Sequence, residues 1–497
     1  MSILLKARAE RFPDRTAIVS TEGSFTYREL LDASRRVASY LLQGMPDLQE
    51  RPVAFLAHPG FDYVAIQWGI WLAGGIAVPL SLFHPRPELE YVLRDTSPAA
   101  VIAQPDFKDL IAPLAEELGL RFEFSGNAMK HPEGYLPAVS SDRRAMILYT
   151  SGTTGKPKGV VTTHGNIAAQ ITSLVDAWGW TPEDRILNVL PMHHVHGIVN
   201  VLSCALWVGA VCEIFPHFDP YEVWNRFVQG GLTLFMAVPT IYVKLIEVWE
   251  KASEAERAKM SEACRGMRLM VSGSAALPVS TLEKWRKISG HVLLERYGMT
   301  EIGMALSNPL LGQRVRGSVG SALPGVEARI VDERGVAVGP GVAGEIEVRG
   351  STVFLEYWGN PEATAKAFRN GWFMTGDVAV EEDGLYRILG RSSVDIIKTG
   401  GYKVSALEIE EVLRTNPDIS ECAVVGVPDP VWGERVCAAL IITEGAQMKL
   451  DSLREWSKER LAPYKVPKEV AIMSDLPRNA MGKVSKPDLK ELFCQKQ

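Results

Sequence analysis

Between Tyr149 and Gly159 the chain sets Thr150, Ser151, Thr153 and Thr154 beside Gly152, Gly155, Gly159, Lys156 and Lys158, directly after the apolar run Ala145 to Tyr149. That is the chemistry of a phosphate cradle. Glycines let backbone N–H groups turn toward an anion, hydroxyls donate further hydrogen bonds, and lysines supply charge. The order differs from a Walker A loop, because Lys156 is followed by Pro157 and then by the β-branched run Val160 to Thr163, with no Ser or Thr opening a helix. The stretch reads as a loop joining two extended segments.

A Gly/Ser/Thr loop alone equally describes a surface turn. Four further groups follow it: Arg296 to Glu301, Thr375 to Asp377, Gly390-Arg391 with Asp395 to Lys403, and Pro477 to Lys483. In this order the set resembles the adenylate-forming superfamily of acyl-CoA synthetases, nonribosomal adenylation domains and luciferases, over nearly the whole chain. The resemblance implies ATP-dependent activation of a carboxylic acid. The acid attacks the α-phosphorus, acyl-AMP forms and pyrophosphate leaves, so the protein mainly positions groups and screens charge.

The same resemblance assigns roles residue by residue. The cradle from Thr150 to Lys158 holds the β- and γ-phosphates, Thr300 donates to the α-phosphate, and Glu301 holds Mg²⁺, a hard cation suited to carboxylate and phosphate oxygens. Adenine lies between Tyr297, with Gly298 beside it, and the backbone at Ser274 and Ala275. Asp377 and Arg391 take the ribose hydroxyls, and Lys483 swings in to neutralise charge during adenylation. A second half-reaction with coenzyme A uses another arrangement of a small C-terminal domain, presenting Lys398, Gly400 and Gly401 to the pantetheine chain. The pivot aligns with Ser393, where relatives often carry Asp or Lys. The residues by themselves leave alternatives: Glu301 also reads as a helix-start carboxylate, Tyr297 as a core aromatic, and Gly400-Gly401 as a plain glycine hairpin.

The acid pocket rests on Arg296. A buried guanidinium without a partner costs roughly several kcal/mol, so Arg296 makes sense if the acid carries a second carboxylate, which it would grip in a bidentate, selective way. His196, within Leu190 to Gly197, adds a donor to that carboxylate, Ser272 and the segment after it offer others, and Met299 falls in the same pocket. With Ser405 to Glu410, these segments resemble malonyl-CoA synthetases, which implies malonate or methylmalonate as substrate. Pairing of Arg296 with Glu295, with Asp332 or with another structural acid is the competing reading. It would leave a short- or medium-chain acyl-CoA synthetase, and an acyl-AMP ligase loading a carrier protein stays open beside it.

These residues need a scaffold. The 497 residues carry a formal net charge of −6, are 46% hydrophobic and 23% charged, and so suit a globular enzyme with more than one core. There is no basic tract for nucleic acid. Cysteines 204, 212, 264, 422, 437 and 494 form no close pair, which argues against a zinc site and for a reducing compartment. The N-terminus mixes Lys6, Arg8, Glu10 and Arg11 with apolar residues, so no signal peptide and a cytoplasmic monomer or homodimer are expected. The uncharged stretch Ala65 to Phe83 is interrupted by Gly69, Gly74, Gly75 and Pro79, and reads as a buried helix leading into a strand.

The fold class is α/β. A helix is expected at Thr26 to Leu42, with a capping box of Thr26 and Glu29. Strands are expected at Thr16 to Ser20, Val53 to Ala57, Ala100 to Ala103, Arg185 to Leu190, Val211 to Phe215, Leu232 to Val238 and Arg268 to Ser272, in largely parallel sheets. From Gly317 the texture changes to a small antiparallel barrel or sheet, reaching about residue 390. A C-terminal α+β domain spans 391–497, after a large domain over 1–390. It has a capped helix at Ser405, strands at Cys422 to Val427 and Val436 to Ile442, and a helix at Leu450 to Leu461.

Overall fold

The computed structural model describes residues 4–150, 157–400, 402–446, 450–478 and 484–495. Among these, two large sheets carry most of the chain. One runs Ser321–Ala322, Gly303–Ser307, Leu294–Met299, Leu269–Ser272, Leu234–Ala237, Arg185–Asn188, Val211–Ile214, Thr16–Ser20 and Gly23–Thr26. From Leu294–Met299 to Thr16–Ser20 the pairing is parallel, and antiparallel strands close both edges. The second runs Glu356–Tyr357, Lys158–Thr163, Arg144–Thr150, Ile76–Pro79, Pro52–Leu56, Ala100–Ala103 and Phe122–Phe124, antiparallel only at its Glu356 end. Central strands such as Pro52–Leu56 and Leu234–Ala237 are buried at every position. Uninterrupted apolar runs are what a parallel strand covered on both faces requires.

The first long helix is Tyr27–Leu42, capped by Thr26 in a complete box with Glu29; such a cap contributes about 1 kcal/mol. Its buried side includes Leu30, Val37, Ala38 and Leu41. The uncharged stretch is the wholly buried helix Phe61–Leu72 followed by Ile76–Pro79. Gly69 lets the two helices touch, since a Cβ there would lie 2.5 Å from Val37 Cγ1. No described helix is long and apolar enough to cross a membrane.

The region after Gly317 forms a five-stranded antiparallel sheet from Val326–Val331, Gly344–Gly350, Phe368–Arg369, Trp372–Glu382 and Leu385–Arg391. Its register sets Asp377 opposite Arg391. Beyond it lies a further sheet of Ile396–Thr399, Tyr402–Ser405, Ile419–Asp429, Gly433–Ile442 and Glu469–Ile472. Helices Ala406–Leu413, capped by Ser405, and Lys486–Gln495 cover it. Separate cores form on its two sides, one with Ile409, Leu413 and Val424, the other with Val425, Leu489 and Phe493. The helix expected to reach Leu461 is Leu450–Lys458. Cys494 is exposed and the other five cysteines are buried, all free.

Candidate active site

Strands Leu269–Ser272 and Leu294–Met299 lie side by side with Ser272 opposite Glu295. Because side chains alternate along a strand, Glu295 and Arg296 point to opposite faces and do not pair. The Glu295 carboxyl is pushed up to about 8 by burial, even though the Gly317 N–H bonds to it. Arg296 is 3% exposed. Its guanidinium lies flat against Gly273, where a Cβ would come within 2.6 Å of Cζ. Nη2 donates to Ser274 Oγ at 3.3 Å, and Nε is buried with no partner. Among the described residues no carboxylate pairs with it, Asp332 being engaged by Arg334. Burial pulls the guanidinium down to about 9, which leaves it charged at neutral pH.

Ser274 adopts a left-handed backbone, φ 67°, and its Oγ also lies 3.2 Å from His196 Nδ1. His196 opens the π-helix His196–Ser203, buried along its length. Helices of this type are rare and concentrate at functional sites. Ser272 Oγ is buried and unpartnered. The structure thus brings Arg296, Ser274 and His196 into one hydrogen-bonded group, with Ser272 two residues away in the chain. Such a group can hold an anion. Met299 ends the same strand, half-buried against the core.

Thr300 and Glu301 occupy the turn between the antiparallel strands Leu294–Met299 and Gly303–Ser307. No helix starts there, which removes the helix-start reading of Glu301. Gly298 is required at this crossing, because a Cβ would fall 2.0 Å from the Gly303 carbonyl oxygen. Glu301 is 6% exposed and accepts from the Tyr357 hydroxyl at 3.0 Å. Burial raises its pKa above the usual carboxylate value. Lys158 Nζ stands 4.9 Å from the Tyr357 ring, and a cleft of about 400 Å³ opens between Lys158, Tyr357, Asn360 and Lys366. A larger cavity of about 1120 Å³, lined by Phe227, Trp249 and Arg257 among others, includes none of these residues.

Asp377 Oδ2 accepts from the Tyr297 hydroxyl at 2.6 Å, and Oδ1 accepts from Arg391 Nε at 3.0 Å. Each oxygen keeps a lone pair for a further donor. Tyr297 is therefore oriented by Asp377, with its ring packed against the core. Ser274 turns its side chain toward Arg296, while Ala275 is exposed.

Thr150 pairs in register with Lys158, so the cradle does join two antiparallel strands. Ser151, Gly152, Thr153, Thr154, Gly155 and Lys156 lie outside the described residues, as do Gly401 and Lys483. Lys398 is exposed on Ile396–Thr399, and Gly400, at φ 56°, donates to the Trp432 carbonyl at 2.8 Å as the hairpin turns. Ser393 is exposed in the turn before that strand. Glu411 reaches back to accept the Val279 N–H at 3.0 Å, at the start of helix Val279–Ser289. Sequence reasoning missed Tyr357. It comes 56 residues after Glu301 and reaches it because Glu356–Tyr357 pairs with Lys158–Thr163.

Among the described residues, no three His, Cys, Asp or Glu side chains gather as a ready-made metal cage. The buried Glu301 carboxylate, which the nearby Arg391 and Lys158 only partly offset, suits Mg²⁺, which takes one or two carboxylates and completes its shell with phosphates and water.

Residues 5–358 match the AMP-binding enzyme family, and residues 408–483 match the AMP-binding enzyme C-terminal domain. The chain is 48% identical to the mitochondrial malonate–CoA ligase ACSF3 of Mus musculus, over 99% of this chain and 91% of that protein. It is 36% identical to ATP-bound MatB from Rhodopseudomonas palustris, with 99% of each chain covered and a TM-score of 0.92. The apo form of MatB, 35% identical and again covering 99% of each chain, gives 0.82.

Proposed function

The chain belongs to the AMP-binding enzyme family, and on that premise we propose that it joins malonate to coenzyme A, using ATP and releasing AMP and pyrophosphate. The observation that carries the substrate is Arg296, a buried cation without an ion pair among the described residues. A diacid bound by one carboxylate to Arg296, Ser274 and His196 would leave its other carboxylate to attack the α-phosphorus. A monocarboxylic acid would leave the guanidinium unsatisfied. The names of the similar ligases support the same acid.

In this reading Asp377 and Arg391 take the ribose hydroxyls and Tyr297 packs on adenine. Thr300 donates to the α-phosphate, Thr150 to Lys158 surround the outer phosphates, and Glu301 would hold Mg²⁺. The metal supplies charge neutralisation on the phosphates when bound. Lys483 neutralises the reacting groups in the first step. After the small domain turns about Ser393, Lys398, Gly400 and Gly401 face the pantetheine chain. A division near residue 391 is supported by the separate cores beyond it. The closer likeness to the ATP-bound relative than to the apo one supports reading the present arrangement as the adenylating one. Cytoplasmic residence is proposed from the six free cysteines, which suit a reducing compartment. The mouse relative is named mitochondrial, and fractionation decides.

Pyrophosphate release measured across malonate, methylmalonate, succinate, acetate and benzoate tests the proposal. Malonate is expected to lead, with methylmalonate separated from it by only about 1–3 kcal/mol, the worth of one methyl. Faster turnover of acetate or benzoate would overturn the diacid assignment. Absence of a thioester with free coenzyme A would point to a carrier-protein acceptor.

A further inference from the structure

The turn between Arg391 and Ile396 is closed by Asp395. Its N–H donates to the Arg391 carbonyl at 2.7 Å, and its Oδ2 accepts the Arg391 N–H at 3.0 Å. Oδ1 accepts from Lys486 Nζ at 2.6 Å, and the same ammonium lies 2.7 Å from Glu410 Oε1. Glu410 is held in turn by the Val424 N–H at 2.8 Å and by Arg414 at 3.2 Å. The side chains of Lys486 and Glu410 are only 11% and 4% exposed. Burial works against the ammonium, but Glu410 and Asp395 outweigh it and leave Lys486 more basic than an ordinary lysine.

Lys486 is not placed there to suit its own helix. It opens Lys486–Gln495, and a cation at a helix N-terminus is opposed by the helix dipole. What it gains is a connection. Arg391 is bonded through its side chain to Asp377 and through its backbone to Asp395, and Asp395 is bonded to Lys486. Lys486 follows Lys483 by three positions in the sequence. Val484 and Ser485 between them are themselves fixed, the first in an antiparallel bridge with Arg478, the second by a 2.7 Å bond to the Pro477 carbonyl.

We propose that Asp395 and Lys486 are positioning residues that hold the small domain in its adenylating arrangement by tying the segment after Lys483 to the backbone of Arg391. The proposal rests on the two-arrangement reading above. Rotation about Ser393 changes the backbone between Arg391 and Asp395, so the two bonds joining those residues break when the domain turns. Lys486, Asp395 and Glu410 all lie beyond the pivot and travel as one body. The tie therefore favours the first half-reaction and is undone for the second.

Two assays on the full chain separate these steps: malonate-dependent ATP–pyrophosphate exchange, and thioester formation from preformed malonyl-AMP and coenzyme A. Asp395→Asn and Lys486→Met are each expected to slow exchange about 10- to 100-fold, the scale of a slight misplacement of reacting groups, and to leave the second step unchanged. Lys486→Arg is expected to restore most of the exchange. The double variant should be no slower than the worse single one, because both act through one contact. Equal losses in both steps with an unchanged far-UV spectrum, or losses that multiply in the double variant, would overturn the proposal. If Lys486→Met does not fold, Asp395→Asn, which keeps the volume of the side chain, decides by the same two rates. Unmutated protein that exchanges pyrophosphate with no diacid would sink the ligase reading itself, whereas normal exchange with unsplit variants sinks only the tie.

Discussion

Lys486 and Arg296 are both cations drawn out of water, and the chain surrounds them in opposite ways. Lys486 touches two carboxylates, and one of these, Glu410, is further held by Arg414 and a backbone N–H. Among the described residues Arg296 hydrogen-bonds to a single neutral hydroxyl. The first cluster is electrically complete with no ligand, as a joint should be. The second would be completed by an anion, as the proposed diacid supplies. Glu301 lies nearer the second pattern with the sign reversed, a buried carboxylate whose burial outweighs the Tyr357 hydroxyl, its own backbone N–H and the nearby Arg391 and Lys158. Buried charge alone therefore does not mark a binding site; buried charge that the protein leaves unneutralised does.

The largest expected effect separates the two clusters directly. Arg296→Leu should lower kcat/KM for malonate by about 4 kcal/mol, on the order of a thousandfold, the scale for removing one partner of a buried charge pair. Its melting temperature should hold or rise, since an uncompensated charge has gone. Lys486→Met should do the reverse to stability, lowering it by about 3 kcal/mol in denaturant titration because two carboxylates lose their cation. If Arg296→Leu destabilised the fold as much as Lys486→Met, Arg296 would have an internal counter-ion and the contrast would collapse.

How much of this was legible in the sequence depends on the range of the contact. The capping box at Thr26 and Glu29 is local chemistry three residues apart, and it formed as read. Arg296 stood out because an arginine beside a nucleotide motif is expensive to bury, and among the described residues it has no ion pair. Glu301 was ambiguous, because the same residues suit a helix start or a tight turn. The pairing of Leu294–Met299 with Gly303–Ser307 decides for the turn. Asp395 and Glu410 were visible only as letters within motifs, and Lys486 as one more lysine. Their meeting depends on how the last helix packs onto its sheet, and no periodicity encodes that. Tyr357 and the hydroxyl of Ser274 as the link to His196 escaped for the same reason.

Glu295 offers a smaller and more graded test of the contrast, since it is a buried acid facing away from the pocket. Its folded pKa, about 8, lies above the unfolded carboxylate range, so the native state binds the extra proton between those values. The stability it allows is therefore complete below the unfolded pKa and is lost as pH rises toward 8. Denaturant midpoints should fall between pH 5.5 and pH 7 by the equivalent of about 2 kcal/mol from this group. Glu295→Gln should remove that slope and leave malonate KM unchanged. A variant that kept the slope would place the titration elsewhere, and one that raised KM would mean that Glu295 acts on Arg296 after all.

The least disruptive break is at Ser274, whose hydroxyl accepts from Arg296 and meets His196 Nδ1. In the tautomer where the serine proton points to Nδ1, the imidazole carries its own proton on Nε2. Ser274→Ala should loosen Arg296 and His196 and, if both hold the diacid, raise malonate KM by about fivefold, near 1 kcal/mol, with kcat little changed because the contact is made before and during reaction alike. Ser274→Gly should show the same KM but a higher melting temperature, since φ 67° suits glycine better than any residue with a Cβ. If the alanine variant bound malonate normally, Arg296 would be oriented by the diacid itself, and the pocket would be less preformed than the hydrogen bonds indicate.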